Sequence, residues 1–244
     1  MAVGQEKAAV FQSILGNVWL LLAPALQIGI YFVLIVVIFK SGGEPRTTFM
    51  ALSLGILHYS LLGNTATQCQ PAIHGNASLL LQVRLEPFLL IWVGYLRALR
   101  KWFAALIVFY CLYAFFGPTP GVKILAYPLI GVFWAALCWS AGLWMAQLTV
   151  FVRDLERFVP IFLQLLMYSA PVIYPVSFYP DSWVMTVVAF NPVAAAFALF
   201  RWSLLGEPCP VEVCAASLVL WTAASLILAH QAYATLGRRF TKVI

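Results

Sequence analysis

An all-α, polytopic membrane protein with six transmembrane helices is what this sequence predicts, and three observations carry the prediction. Of the 244 residues, 64% are hydrophobic and only 9% are charged, against about 25% charged in ordinary soluble domains. Apolar runs close to the roughly 20 residues that a helix needs to cross a bilayer core recur in series along the chain. Lysine and arginine collect in alternate connections between those runs, the bias that sets which side of the membrane each loop occupies.

The first span is expected from about Val18 to Phe39, ended by the turn-rich Lys40-Ser41-Gly42-Gly43-Glu44-Pro45-Arg46. The second covers about Phe49 to Cys69. From Gln70 to Lys101 the composition is mixed, with Pro71, Gly75-Asn76, Arg84 and Glu86-Pro87, which suits a connecting region with short interfacial helices. The third span runs from about Trp102 to Phe116, with an earlier start left open, and stops at Gly117-Pro118-Thr119-Pro120-Gly121, the strongest turn signal in the chain. A fourth covers about Ile124 to Leu148, and the four charges of Arg153-Asp154-Leu155-Glu156-Arg157 form a hinge after it. The fifth follows from about Phe158 to Tyr174, bracketed by Pro160 and Pro171, and the sixth from about Val213 to Leu236.

Residues 175–212 are expected to be re-entrant. Ser182 to Phe200 is long enough to cross and uncharged, yet Asn191-Pro192 interrupts it. Proline removes a backbone donor and disfavours helix at the residue before it, so two short helices that dip in and return fit better than a seventh crossing. With six spans and the amino terminus inside, Lys7, Arg84, Arg97, Arg100, Lys101, Arg153, Arg157, Arg238, Arg239 and Lys242 are cytoplasmic, whereas Lys40, Arg46, Lys123 and Arg201 are outside. A seventh span would put the basic tail outside and weaken that bias. The formal net charge of +6 therefore reads as membrane orientation and attraction to anionic lipid, not as affinity for nucleic acid. Met1 to Gln12 lacks the pattern of a cleaved signal peptide, so the first span is expected to remain as an anchor.

Five cysteines lie scattered, mostly within apolar runs, and read as small buried side chains; only Cys209 and Cys214 fall close enough to pair. His58, His74 and His230 stand far from any carboxylate or cysteine at ligand spacing, so no metal site or catalytic set is expected.

The chain resembles the permease subunits of ABC-2 type polysaccharide exporters, the family that moves O-antigen, teichoic acid and capsule chains. The resemblance spans nearly the whole sequence. It rests on Ser13-Ile14-Leu15-Gly16-Asn17-Val18-Trp19 leading to Pro24, on Gly75-Asn76 through Leu79-Leu80 to Arg84 and Pro87, and on Phe151-Val152-Arg153-Asp154. It continues in Ala170-Pro171-Val172-Ile173-Tyr174-Pro175, Asn191-Pro192 and Arg201. It implies a homodimer in the bacterial cytoplasmic membrane, both termini cytoplasmic, lining a channel for a lipid-linked polysaccharide, with two separate ATP-binding subunits docked beneath. The sequence has no G-x-x-x-x-G-K-[ST] phosphate loop, so ATP and Mg would be bound by the partner and no cofactor is expected in this chain. A permease for a small amphiphile, and a membrane enzyme acting on a lipid-linked substrate, are the rival readings.

From the residues alone, Asn76 to Gln82 makes an ordinary interfacial helix; under the resemblance it fits a groove of the ATPase, with Asn76, Leu79 and Leu80 on it and Arg84 beyond its end in the same coupling region, and Arg153 with Asp154 pass its motion to the fifth span. From the residues alone, Arg153 to Arg157 equally make a charge-balanced solvated turn. Arg97, Arg100 and Lys101 share one helix face. They either snorkel at the membrane edge or receive the pyrophosphate of the glycolipid, for which arginine offers a planar fork. Aromatics make up 15% of the chain, and Tyr59, Tyr168 and Tyr174 are assigned to the channel, with Pro171, Pro175, Leu15 and Gly16 at the gate.

Overall fold

A computed structural model describes residues 18–38, 44–82, 85–119, 121–174 and 181–243. Among these residues the chain is helical, with no strand. Helix α1 spans Trp19–Phe32 and continues as a π-helical stretch, Val33–Ile38. Then come α2 (Pro45–Cys69), a 3₁₀ turn (His74–Asn76), α3 (Ala77–Gln82) and α4 (Pro87–Phe116). A second 3₁₀ stretch, Val122–Ala126, leads into α5 (Tyr127–Phe151), followed by α6 (Leu155–Ser169), α7 (Asp181–Phe190), α8 (Pro192–Leu205) and α9 (Val211–Val243).

Among the described residues, three segments are both long and apolar enough to cross a membrane, Pro87–Phe116, Val122–Phe151 and Val211–Gly237, so the protein is multi-pass. Leu22–Ile38 and Pro192–Leu205 are shorter apolar helices. The helix that carries the third span takes the earlier start that the sequence left open: Glu86 is extended, Pro87 occupies the first helical turn, and the helix then runs unbroken to Gly117. Proline suits that first turn because its missing N–H has no intrahelical partner there. The connecting region is therefore only about half as long as 70–101, and Arg97, Arg100 and Lys101 lie within the helix. The fifth helix also starts early, at Leu155, so Pro160 sits inside it rather than at its boundary.

Contacts fix the direction of each long helix. Phe49 on α2 meets Phe116, His58 meets Phe109 at 5.1 Å, and Cys69 donates to the Ile91 carbonyl, so α2 and α4 are antiparallel. In α5, Trp134 Nε1 donates to the His58 carbonyl (3.1 Å), while a Cβ added at Gly142 would meet Thr65 and Cys69, so α5 runs parallel to α2. Helix α9 is parallel to α5, because Ser225 donates to Ser140 and Gln147 to the Ala229 carbonyl. Helix α6 opposes α2 through Tyr59, whose hydroxyl donates to the Leu163 carbonyl (2.5 Å). The end of α1 packs on the start of α2, Phe32 against Phe49 at 5.5 Å. Directions thus alternate through α1, α2, α4, α5, α6 and α9.

The break at Asn191 has a local cause. Its side-chain oxygen accepts from the backbone N–H of Val193 and Ala194 (3.0 and 3.2 Å), and Pro192 follows in the first turn, which together start a new helix. Gly206, at φ +75, ends that helix in the left-handed conformation that glycine adopts at little cost. The tip of the hairpin packs beside α9, where Ser217 and Trp221 both donate to the Ala189 carbonyl. Helix α8 then returns to the end at which α4 stops, since Tyr113 donates to the Leu204 carbonyl. The segment forms two short helices broken at Asn191-Pro192, where the sequence reading expected the break. Its second limb is not interfacial, however: Val193 to Arg201 are all buried, and Phe197 packs on Trp134 at 5.3 Å.

Candidate functional site

The charged hinge is a tight reversal. Val152 is extended (φ −131, ψ 92) and ends α5; Arg153 and Asp154 make the turn, and the Asp154 carbonyl receives the Arg157 and Phe158 amides that open α6. Both side chains are exposed. Glu156, one residue into α6, pairs with His74 of the 3₁₀ turn before α3. His74 is therefore not isolated, as its sequence surroundings suggested: the fold brings it a carboxylate from a distant segment, and no local spacing announces that. This contact ties the 70–82 turn to the 151–157 hinge at one end of the bundle.

Within that turn, Asn76 Nδ2 donates to the Ala72 carbonyl (2.9 Å), which closes the backbone reversal and leads into α3. Leu79 is exposed, whereas Leu80 is buried and packs into the protein's own core. Arg84 lies outside the described residues. Farther along α4, Arg100 is exposed and Arg97 and Lys101 are half-buried, on the single face that their spacing requires.

The residues assigned to the gate from the sequence lie toward the other end. Ala170, Pro171 and Val172 are buried. The Val172 carbonyl receives Nη2 of Arg201 (3.1 Å), and Nη1 of the same guanidinium donates to Glu207 Oε1 (3.1 Å). Arg201 is only 1% exposed, and burying a charge so deeply is favourable only when it is paired and hydrogen-bonded. The Val172 carbonyl also presses on Gly55 of α2, where an added Cβ would stand 2.9 Å from the carbonyl carbon and nearer still to its oxygen. Glycine is what lets these two backbones touch.

Tyr59 is buried, bonded to α6 as described. Tyr168 is exposed, its hydroxyl 3.2 Å from that of Tyr31, and Tyr174 donates to the Tyr168 carbonyl at 2.5 Å. Of the three tyrosines assigned to the channel, one is turned inward and Tyr168 is open on the α1–α6 face. Pro175, Leu15 and Gly16 lie outside the described residues. Cys209 and Cys214 are both free thiols, and the hydrogen bond from Cys214 holds the Cys209 pKa below the ordinary thiol value.

No family model matches the chain. It is 25% identical over 193 residues to an O-antigen export system permease protein RfbA of Klebsiella pneumoniae, covering 78% of this chain and 72% of the relative. It is also 25% identical over 227 residues to the protein of the same name from Myxococcus xanthus, covering 90% and 86%. A further Klebsiella pneumoniae protein of that name is 22% identical over 192 residues. Similarity across most of the length, joined to a multi-pass helical fold, relates this chain to the ABC-2 type permeases of O-antigen export systems.

Proposed function

We propose that this chain is the channel-forming permease subunit of an ATP-driven exporter of lipid-linked polysaccharide, of the O-antigen type, in the bacterial cytoplasmic membrane. The similarity to export permeases over 78% and 90% of the chain carries the reading. Six helices of alternating direction support six crossings with both termini on the cytoplasmic side. In that orientation Arg97, Arg100 and Lys101 lie 15 to 19 residues before the outer end of α4, roughly 22–29 Å down the helix. That is about one hydrocarbon thickness, so they reach the inner headgroups, where an anionic lipid pyrophosphate would meet them.

The chain acts as a homodimer with two ATP-binding subunits that supply ATP and Mg. The turn bearing Asn76 and Leu79 forms the docking surface, and the His74–Glu156 contact carries its displacement to Arg153, Asp154 and α6. At the outer end, the Pro171–Tyr174 segment and the α7–α8 hairpin form the gate.

Co-expression with the ATP-binding partner is expected to give a two-plus-two complex that restores surface glycan to a permease-null strain. The Arg153→Ala, Asp154→Ala double variant is expected to assemble yet lose both export and stimulated ATP hydrolysis. Normal surface glycan in that strain would sink the coupling role, and absence of export by the unaltered chain would sink the exporter reading.

A further inference from the structure

Between α8 and α9 the chain reads Gly206-Glu207-Pro208-Cys209-Pro210, and α9 begins at Val211. The Pro210 carbonyl accepts from the Cys214 amide (3.0 Å) in the first turn of that helix. Pro210 is therefore the cap residue, Cys209 precedes it, and Cys214 is the fourth residue of the helix. Side chains at those two positions meet across a helix start, where two apolar residues usually form a staple. Here both are cysteines, and the Cys214 thiol donates to the Cys209 sulfur. The local backbone keeps them together: Pro208 fixes its own φ, and Pro210 confines Cys209 to extended conformations.

The two thiols are unequal: Cys214 is buried and Cys209 half-buried. The Cys209 pKa is held below the ordinary thiol value by the Cys214 hydrogen bond first and by the Lys123 charge after it, against burial and the Glu207 charge. A partly exposed thiol in such surroundings is the nucleophile, and its buried neighbour stands where it can resolve what that nucleophile forms. We infer that Cys209 and Cys214 are an oxidisable pair, which a disulfide-bearing oxidant outside the cytoplasm closes into a covalent staple across the start of α9. The Cys209 thiolate attacks the oxidant's disulfide and expels one thiolate; Cys214, giving up its proton, then attacks Cys209 Sγ and expels the second. One S–S bond forms as the oxidant's S–S bond breaks, and two electrons and both thiol protons pass to the oxidant, which leaves as two thiols. The staple lies two residues from Glu207, so it also pins the carboxylate that holds Arg201 beside Val172. The inference rests on the outward placement of this connection in the exporter reading, on the side where disulfides form and persist.

The test uses the full chain in nanodiscs, reduced and freed of reductant, with glutathione disulfide as the oxidant and peptide mass spectrometry as the readout. Wild type is expected to lose both Cys209 and Cys214 to alkylation through a bond between them, and its Tm to rise by roughly 4–9 °C, the effect of closing a short loop. Cys214→Ser is expected to stop at a glutathione adduct on Cys209, and Cys209→Ser to leave Cys214 unmodified; neither should gain that rise. Wild type that keeps both thiols, or that stops at the Cys209 adduct, overturns the pair, and a bond that forms with Tm unchanged overturns the staple. In whole cells first reduced with dithiothreitol, an impermeant maleimide separates the two readings. Labelling of Cys209 only after permeabilisation overturns the outward placement and the exporter topology with it, whereas labelling from outside in a chain that forms no bond overturns the pair alone.

Discussion

Replacing Gly55 by alanine adds one methyl group at the most crowded backbone contact described above. That methyl would stand 2.9 Å from the Val172 carbonyl carbon and 3.3 Å from Val172 Cγ1. Neither neighbour is the free end of a flexible chain, so relief requires Val172 to move away from α2, and its carbonyl then leaves Arg201. Overpacking of this kind costs about 1–3 kcal/mol, and losing a hydrogen bond from a charged donor about 1.5–3 kcal/mol. The lower half of each range gives about 3 kcal/mol, hence a fall in Tm of roughly 6–12 °C for a chain of this size. The control is on the same helix: a Cβ at Gly63 meets nothing within 4 Å, so Gly63→Ala should gain up to about 1 kcal/mol from helix propensity. Heating both variants in nanodiscs and following the folded fraction by fluorescence-detected chromatography separates them. A Gly55→Ala midpoint within about 2 °C of wild type, or a Gly63→Ala midpoint that falls as far, would refute the close-approach reasoning.

Three other outcomes follow from the outer end of the bundle. Arg201→Met should cost about 3 kcal/mol, since removing one partner of a buried pair strands the other; adding Glu207→Gln should recover part of the loss, read as Tm in the same assay. Asn191→Ala should cost about 1 kcal/mol by removing the cap on α8, seen as faster amide hydrogen exchange at Val193 and Ala194 than in wild type. Cys209 should react with a membrane-impermeant maleimide from outside, with a pH midpoint below that of an ordinary thiol, because its lowered pKa leaves more thiolate at any given pH. Cys214→Ala should move that midpoint upward by removing the thiol that donates to Cys209.

The long apolar helices were legible because each depends on its own composition, and the α7–α8 hairpin because Asn191, Pro192 and Gly206 act on their own backbone. The start of α4 was less legible. Arg97, Arg100 and Lys101 resemble a loop in composition, yet a helix as long as α4 outreaches the hydrocarbon core and has room for charge at its inner part. Pro160 looked like a boundary because only the surroundings decide whether the backbone acceptor it frees is tolerated. What the sequence could not display was pairing between distant segments: His74 with Glu156, Arg201 with Val172, Tyr59 with Leu163, and Gly55 beneath Val172. None has a local signature.

Arg46 has a bearing on how the chain is threaded into the bilayer during synthesis. It donates to the Phe115, Phe116 and Gly117 carbonyls (3.3, 2.9 and 3.5 Å), the unsatisfied negative end of α4. Lys123 sits 5.4 Å above the Trp202 ring, and Arg201 is consumed by Glu207 and Val172. In the proposed orientation these are three of the four basic residues that end on the translocated side. Each of these three exceptions to the charge rule therefore has a structural partner waiting there. Exchanging Arg46 for glutamine would sharpen the insertion signal and at the same time strip the lid from a helix end.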